Sequence, residues 1–402
     1  MKVVHLVSGE NGGAANAAKR ISSALNDTGI ESEVFYFLGE NRIEKSRRFI
    51  FAQKVARRLN ILIMKLCGLE KSSTFAWECA GLDWVKNPVI QNADVVHLHQ
   101  VNFGLINWHT LNALCKTKKV VWTQHDMWCF TGGCFYEHCE QKYGEGCRNC
   151  PLFDNSMGKK LVEYQFNIKK RCLEQNPITI VGCSNWMTEC AKSSQITKKC
   201  RCVTIPNCVD LGVFRPHSCA DIRERFPQLR NKRIVLFGAM NIQDERKGYQ
   251  YLRDAILHLD PADYALVIFG ENMSDDKLSG FDQICLGYIS NQAEMSKVYS
   301  GCDVFVAPSL QENLANTVME SLACGTPVTA FRVGGMPDLI NHMENGYLAK
   351  KCDSRDLAAG IEICCRSKAM RIKARESVVS RFSPAIVAQK YIDLYNDGGD
   401  SL

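Results

Sequence analysis

No run of this chain approaches the roughly 18 uninterrupted apolar residues that a helix needs to cross a bilayer. The opening MKVVHLVSGENGG holds an apolar stretch too short for the core of a signal peptide and runs on into a loop–helix pattern. The expectation is therefore a cytoplasmic protein. No internal repeat or low-complexity segment is visible. Charge of one sign is scarce as well: 49 basic against 43 acidic residues leave a net +6, too little to point to nucleic acid. No Asp-x-Asp element closes a strand, where a metal-bridged diphosphate would call for one.

What is present describes a folded enzyme-sized protein. With 402 residues, 46% hydrophobic and 23% charged, the chain is too long for one ordinary core, and two domains of about 200 residues are the natural reading. Apolar runs at Val3–Val7, Glu33–Phe37, Asp94–Gln100, Val120–Asp126 and Ile178–Ser184 alternate with helical patterns, as in a parallel sheet covered on both faces. Val203–Pro216 breaks the rhythm. It restarts with Arg233–Asn241, Tyr264–Glu271, Gln283–Leu286, Val304–Ala307, Pro327–Phe331 and Gly346–Ala349, a second doubly wound unit. The domains are drawn at 1–208 and 209–383.

The richest segment is PSLQENLANTVMESLACGTPV, Pro308–Val328. Pro308 and the polar run to Asn313 make a loop, Asn316 or Thr317 can cap a helix, and Gly325-Thr326-Pro327 stops it. Such a strand–loop–helix crossover faces the ligand crevice at the carboxyl ends of an open sheet. Glu312 projects from the loop. Glu320, about two turns into the helix, returns near the same face, and the amides of Ala315 to Val318 form an anion site between them. Hydroxyls for the carboxylates and a diphosphate for the amides make a sugar nucleotide; a capped helix with two solvated glutamates is the plainer alternative.

Other pieces carry chemistry less heavily. In FGAMNIQDERKGYQYL, Phe237–Leu252, a strand ends in glycine and Arg246-Lys247-Gly248 open a helix, a place where basic side chains hold a diphosphate or simply sit solvated. Gly12-Gly13 before the first helix allows close backbone approach, or is only a turn. His125 ends the TQHD strand, where it can meet a sugar hydroxyl, although an isolated histidine is more often structural. His97 and His99 alternate with apolar residues and carry less weight. Gly270 and Tyr288 follow strands in the second half and are also ordinary turn signals.

Most of the 21 cysteines read as small buried hydrophobes. Cys134, Cys139, Cys147 and Cys150 differ. Their C-x4-C-x7-C-x2-C spacing suits a structural zinc ion, with free thiols or an oxidised pair as alternatives. Residues 41–69 form a basic amphipathic stretch, Arg47, Arg48, Lys54, Arg57, Arg58 and Lys65 interleaved with Phe49, Phe51, Val55, Leu59, Leu62 and Met64. It can lie on an anionic membrane or pack as a surface helix with a solvated basic face.

Across PSLQEN…MESLACGTPV, VGGMPDLI at Val333–Ile340 and NGYL at Asn345–Leu348, the chain resembles the retaining glycosyltransferases of family 4. HDMWCFTGGC…GCRNCP is similar to the subgroup that builds capsule and colanic-acid-type polysaccharides. The resemblance implies an α/β GT-B fold: two Rossmann-like doubly wound domains facing a central cleft, an N-terminal acceptor side and a C-terminal nucleotide-sugar side, with helix 384–402 packing back on the N-terminal domain. It implies a metal-independent hexosyltransferase that moves a sugar from a nucleoside-diphosphate sugar to a hydroxyl of a glycan or lipid-linked oligosaccharide. The expected place is the cytoplasm or the inner face of the plasma membrane. Arg246 and Lys247 are then expected on the leaving diphosphate, Glu312 on the sugar, Glu320 on the ribose and the amides at Asn316 and Thr317 on phosphate. Gly13, Gly270 and Tyr288 fall near the donor, and His125 beside the transferred sugar. Ala239 stands where many members carry an arginine, so Arg246 is assigned the second positive charge. Front-face attack assisted by the leaving phosphate is expected, with no protein nucleophile. A non-hydrolysing sugar-nucleotide epimerase on the same fold, or a binding protein without catalysis, are the alternatives.

Overall fold

Runs of Val, Ile and Phe too apolar to face water on either side become strands buried on both faces, and in both halves of the chain they pair in parallel. The computed structural model describes all residues except 44, 70–74, 79–80, 82, 103, 139–141, 177, 219, 273–277, 279 and 398–402. The chain divides into two compact units, Met1–Pro206 with Val387–Leu402, and Asn207–Ile386.

Unit 1 contains β1 (Lys2–Gly9), β2 (Glu31–Leu38), β3 (Val95–Leu98), β4 (Lys119–Gln124), β5 (Thr179–Gly182) and β6 (Arg201–Thr204). They form one sheet in the order β2-β1-β3-β4-β5-β6, every pair parallel. The order reverses between β1 and β3, so the crevice of this sheet lies beyond the carboxyl ends of those two strands. β6 is a partly exposed edge strand with a charged first residue, which is why the apolar pattern does not announce it. Helix α1 (Gly13–Asn26) buries Ala15, Ala17, Ala18, Ile21 and Leu25. Its N-cap is Gly12 at φ 105°, a conformation that favours glycine, with open space where a Cβ would stand.

Helix α2 (Arg47–Leu66) divides its apolar residues, with Phe49, Ile63 and Met64 packed against the core and a second set turned outward. Its buried residues are Gln53, Ala56 and Asn60, spaced three and four apart along one face. Gln53 donates to the Phe37 carbonyl at 2.6 Å and Asn60 to Glu78 at 2.7 Å. Phe51, Val55, Leu59, Leu62 and Leu66 are exposed. Among the described residues no helix is long and apolar enough to cross a membrane.

Unit 2 contains β7 (Arg233–Asn241), β8 (Tyr264–Glu271), β9 (Asp282–Cys285), β10 (Val304–Ala307), β11 (Val328–Phe331) and β12 (Gly346–Ala349). Their order, β12-β11-β10-β7-β8-β9, is the nucleotide-binding 3-2-1-4-5-6 arrangement counted from β7. The reversal falls between β7 and β10. The last helix, Pro384–Asn396, delivers Tyr391 and Tyr395 into unit 1. Tyr395 meets His97 at 2.6 Å and Tyr391 meets Thr123 at 3.1 Å.

Candidate functional site

Two loops meet at the reversal point of unit 2. After β7, Asp244 caps the short turn Glu245–Lys247 and also takes the guanidinium of Arg246. After β10, the loop from Pro308 carries Glu312. The Leu310 N–H donates to the Arg246 carbonyl at 2.8 Å, tying the loops together. Lys247 reaches across and donates to Glu312 Oε2 at 2.6 Å. Their side chains are 32% and 16% exposed, so the pair is sheltered but open to exchange with a ligand.

Two glycines make this approach possible. Gly248 sits at φ 68°, and a Cβ there would lie 1.9 Å from the Pro308 carbonyl oxygen. Gly334 sits at φ 51°, and a Cβ there would lie 1.9 Å from the Glu312 carbonyl oxygen, which accepts the Gly335 N–H at 3.0 Å. The carboxylate-bearing loop is thus held from both sides by backbone that only glycine allows.

The helix that follows, Asn316–Ala323, differs from the sequence reading in two respects. Its N-cap is Ala315, not Asn316 or Thr317, and no cap side chain bonds its first turn. Asn316 accepts instead from Asn207 at 3.4 Å. An alanine cap supplies no oxygen to the first amides, so this helix start suits an external anion. Glu320 is the fifth helical residue, little more than one turn in rather than two. It is half-buried and accepts the hydroxyl of the buried Tyr299 at 3.5 Å.

Arg246 is committed to Asp244 and lies beside, not in, the Lys247–Glu312 pair. Gly270, next to last in β8, sits at φ 132°, its amide bonded to the Gly287 carbonyl at 2.9 Å and its α-carbon against the Ala239 carbonyl. Tyr288 follows, 58% exposed. These three strand ends, β7, β8 and β9, therefore share one edge of the unit.

Gly13 and His125 belong to unit 1. Gly13 is the first residue of α1. His125 stands just past β4, half-buried, at the end of a row of histidines that the sequence pattern left unweighted. The β1–β3 register sets His5 beside His97, and His99 follows on the same face. His5 Nδ1 lies 2.9 Å from His99 Nε2, and His99 Nδ1 lies 2.9 Å from His125 Nε2. His97 pairs with Tyr395 and, at 2.7 Å, with Thr123. Part of the signal was available: VVHLV and VVHLH place histidines among apolar strand residues, and WTQHD places one just past a strand. Burial lowers the pKa of His125 to about 4 and of His5 to about 3, and holds His97 and His99 well below the ordinary value. Asp126 is pushed up to about 6 by the same desolvation, partly offset by its bond to the Trp128 amide.

His5, His97 and His99 offer ring nitrogens within 4.8 Å of one another, a possible ligand set by distance. All six nitrogens already have hydrogen-bond partners, so the trio is a hydrogen-bonded row and not an open metal site. The loop after His125 is anchored by fully buried Lys169, which bonds the Trp128 and Thr131 carbonyls and lies 3.7 Å over the Trp128 ring. Cys134, Cys147 and Cys150 are buried in this loop; Cys139 lies outside the described residues.

Two doubly wound units with these strand orders define the GT-B class. Across 98% of this chain and 99% of the neighbour, the fold matches the crystal structure of HepE from Anabaena in complex with UDP, with a TM-score of 0.61 at 16% identity. Residues 231–367, within the second unit, match the family described as Glycosyl transferases group 1. The chain is 24% identical over 151 residues to the N,N'-diacetylbacillosaminyl-diphospho-undecaprenol alpha-1,3-N-acetylgalactosaminyltransferase of Campylobacter jejuni. That match covers 37% of this chain and 40% of the Campylobacter protein. A second relative, an uncharacterized 41.2 kDa protein in the cps region of Klebsiella pneumoniae, is 23% identical over 98% of this chain and 99% of its own length.

Proposed function

We propose that the protein is a retaining, metal-independent glycosyltransferase. It moves a sugar from a nucleoside-diphosphate sugar to a hydroxyl of a lipid-linked intermediate in capsule, exopolysaccharide or O-antigen synthesis. The observation that carries this reading is the Lys247–Glu312 pair at the reversal point of unit 2, next to a helix start without a side-chain cap. A diphosphate arriving there finds an ammonium and first-turn amides, and the freed carboxylate turns to the sugar's hydroxyls. Glu320 takes the ribose. Asn316 and Thr317 supply amides to phosphate, and Gly270 and Tyr288 border the donor. Arg246 contributes a second charge once it leaves Asp244. In unit 1, Gly13 lets the donor approach the backbone and His125 bonds a hydroxyl of the transferred sugar. The UDP bound by HepE and the undecaprenol-linked acceptor in the Campylobacter enzyme's name support the donor and acceptor classes.

The outward apolar stripe of α2, flanked by basic residues and free of acidic ones, fits the surface of an anionic membrane where such an acceptor lies. The cysteine spacing supports a structural zinc ion in this loop, while among the described residues Cys134, Cys147 and Cys150 do not converge as a three-ligand group. The Gly132 N–H donates to Cys147 Sγ at 3.3 Å, and a bond from Cys134 brings the Cys150 thiol down to about 7. Cys134, Cys139, Cys147 and Cys150 would hold the metal, which would brace the loop and take no part in transfer.

The test is a panel of nucleoside-diphosphate sugars with an undecaprenyl-diphosphate-linked acceptor fraction, read by product mass and by the anomeric coupling of the new linkage. Retained transfer by the wild type, and a loss of 100-fold or more in Glu312→Ala or Lys247→Ala, are expected. Transfer at the wild-type rate in Glu312→Ala refutes the site. Conversion of a donor to its epimer without acceptor refutes the activity.

A further inference from the structure

A neutral imidazole carries one N–H, so each ring-to-ring bond in the histidine row needs an N–H on one side and a bare nitrogen on the other. His5 offers Nδ1 to His99 Nε2, and His99 offers Nδ1 to His125 Nε2. The tautomer of any one ring therefore dictates the tautomers of the other two. The far end of the row decides which way they run. His5 Nε2 faces Ser32 Oγ at 3.1 Å, and Ser32 donates its own proton to Ser22 Oγ at 2.9 Å. Ser32 is left as the acceptor for His5. The protons then sit on Nε2 of His5, of His99 and of His125. His125 is left with a bare Nδ1 at its half-buried edge, where the nearest partner is the weakly bonding Cys183 thiol at 3.6 Å.

The row is rigid enough to hold this state. His99 stacks on His97 at 4.3 Å and on His125 at 5.2 Å between ring centroids. The Trp122 indole donates to the His99 carbonyl at 2.8 Å, and Gln100 donates to Asp126 at 3.4 Å. Beside the row stand the titratable groups of Asp126, adjacent to His125, of Cys183, and of Tyr391 and Tyr395 from the last helix. Burial disfavours charge on every ring in it, so no imidazolium upsets the order of protons.

We propose that the Ser22–Ser32 hydroxyl pair, acting through His5 and His99, locks His125 in its Nε2–H tautomer, so that Nδ1 presents a lone pair to a hydroxyl of the bound sugar. His99 is then a positioning residue for His125. The identity of the bound hydroxyl rests on the glycosyltransferase reading; the lock itself does not.

The test begins on the unaltered full chain labelled with 15N-histidine, using ring two-bond 1H–15N correlations. The His125 signals are assigned by their loss in His125→Asn. A single Nε2–H tautomer from pH 6 to 8 is expected. In His99→Phe, which cannot accept the His125 proton, both tautomers appear. Transfer then falls 10- to 100-fold in kcat with little change in donor KM. His99→Gln, whose side-chain carbonyl can accept the Nε2–H, restores most of both. A wild-type Nδ1–H tautomer overturns the lock without any variant. So does a folded His99→Phe protein with unchanged His125 signals. If the wild type transfers no sugar from any donor, the functional reading fails, and the lock stands or falls on the ring signals alone.

Discussion

Four histidines buried neutral in one sheet make unit 1 sensitive to mild acid, and the size of the effect follows from their ring environments. Folded-state pKa values below the unfolded 6.5 mean that the unfolded chain binds more protons as the pH falls. Stability is therefore intact above about pH 6.5 and is lost below it. At pH 5.5 an unfolded histidine is about nine-tenths protonated, while rings held at about 3 and about 4, or well below 6.5, stay neutral. Each contributes about 1.4 kcal/mol to the loss between pH 7.5 and 5.5, and four contribute about 4–6 kcal/mol. Asp126, raised to about 6 by burial, takes up a proton sooner in the folded state and returns about 0.8 kcal/mol. Lys169, lowered to about 7 by burial, works the other way by a similar amount, about 0.8 kcal/mol, so the two cancel. All six tryptophans (Trp77, Trp84, Trp108, Trp122, Trp128 and Trp186) lie in unit 1, so indole fluorescence during urea unfolding follows that unit alone. The expected result is a fall of about 4–6 kcal/mol from pH 7.5 to 5.5, reduced by about 1.4 kcal/mol in His97→Gln. A change under about 1 kcal/mol in the wild type would mean that the rings are not buried neutral, and would refute the reasoning.

Three further outcomes are expected. Gly248→Ala forces a Cβ onto the Pro308 carbonyl in a left-handed backbone and should cost unit 2 about 2–4 kcal/mol, read as a drop of about 5–10 °C in its thermal transition. An unchanged transition would show that the two loops are not pressed together there. Vesicles with 30% phosphatidylglycerol should bind the protein in a salt-dependent way, and Leu59→Glu with Leu62→Glu should weaken that binding at least 10-fold. Equal binding by the double variant would remove α2 from the membrane contact. Metal analysis of the purified chain should find about one zinc per molecule, lost in Cys150→Ser; zinc-free wild type would leave the cluster as thiols.

Much of the fold is legible because the interior parallel strands are buried on both faces and so read as unbroken apolar runs. The predicted spans Arg233–Asn241, Tyr264–Glu271, Val304–Ala307 and Gly346–Ala349 are the observed strands. Edge strand β6 is not legible, since its exposure lets Arg201 and a polar flank blur it. Lys247 and Glu312 could be singled out by local pattern, but their contact joins positions 65 apart and depends on Gly248 and Gly334, whose roles appear only when two loops cross. Capping went wrong at Ala315 for a related reason: preference for a polar cap describes helices that must satisfy their own ends. α2 was ambiguous because a hydrophobic stripe looks the same whether it faces a core or a membrane. In the fold Gln53 and Asn60 bond inward and Phe49, Ile63 and Met64 pack against the core, while Phe51, Val55, Leu59, Leu62 and Leu66 lie exposed, a division that no periodic pattern reveals.

The two sheets use one geometric opportunity for opposite electrostatics. Each has a single reversal of strand order, where diverging loops leave room for a ligand at the carboxyl ends. In unit 2 that place is furnished with charge: an ammonium against a carboxylate, both partly open to water, where ionised groups cost little to keep. In unit 1 the strands near the reversal carry imidazoles that burial keeps uncharged, linked by bonds that need only one proton per ring. A charged pair can trade its internal partner for a diphosphate with little change in net charge. A neutral row can meet a hydroxyl without the desolvation penalty that a buried ion would impose. Exchanging the two would fail on both sides: a lysine among the buried strand ends would lose its proton, and imidazoles in the open loop would titrate near neutrality and hold a diphosphate only in acid. The chemistry of each site is therefore matched to how much water its sheet lets in.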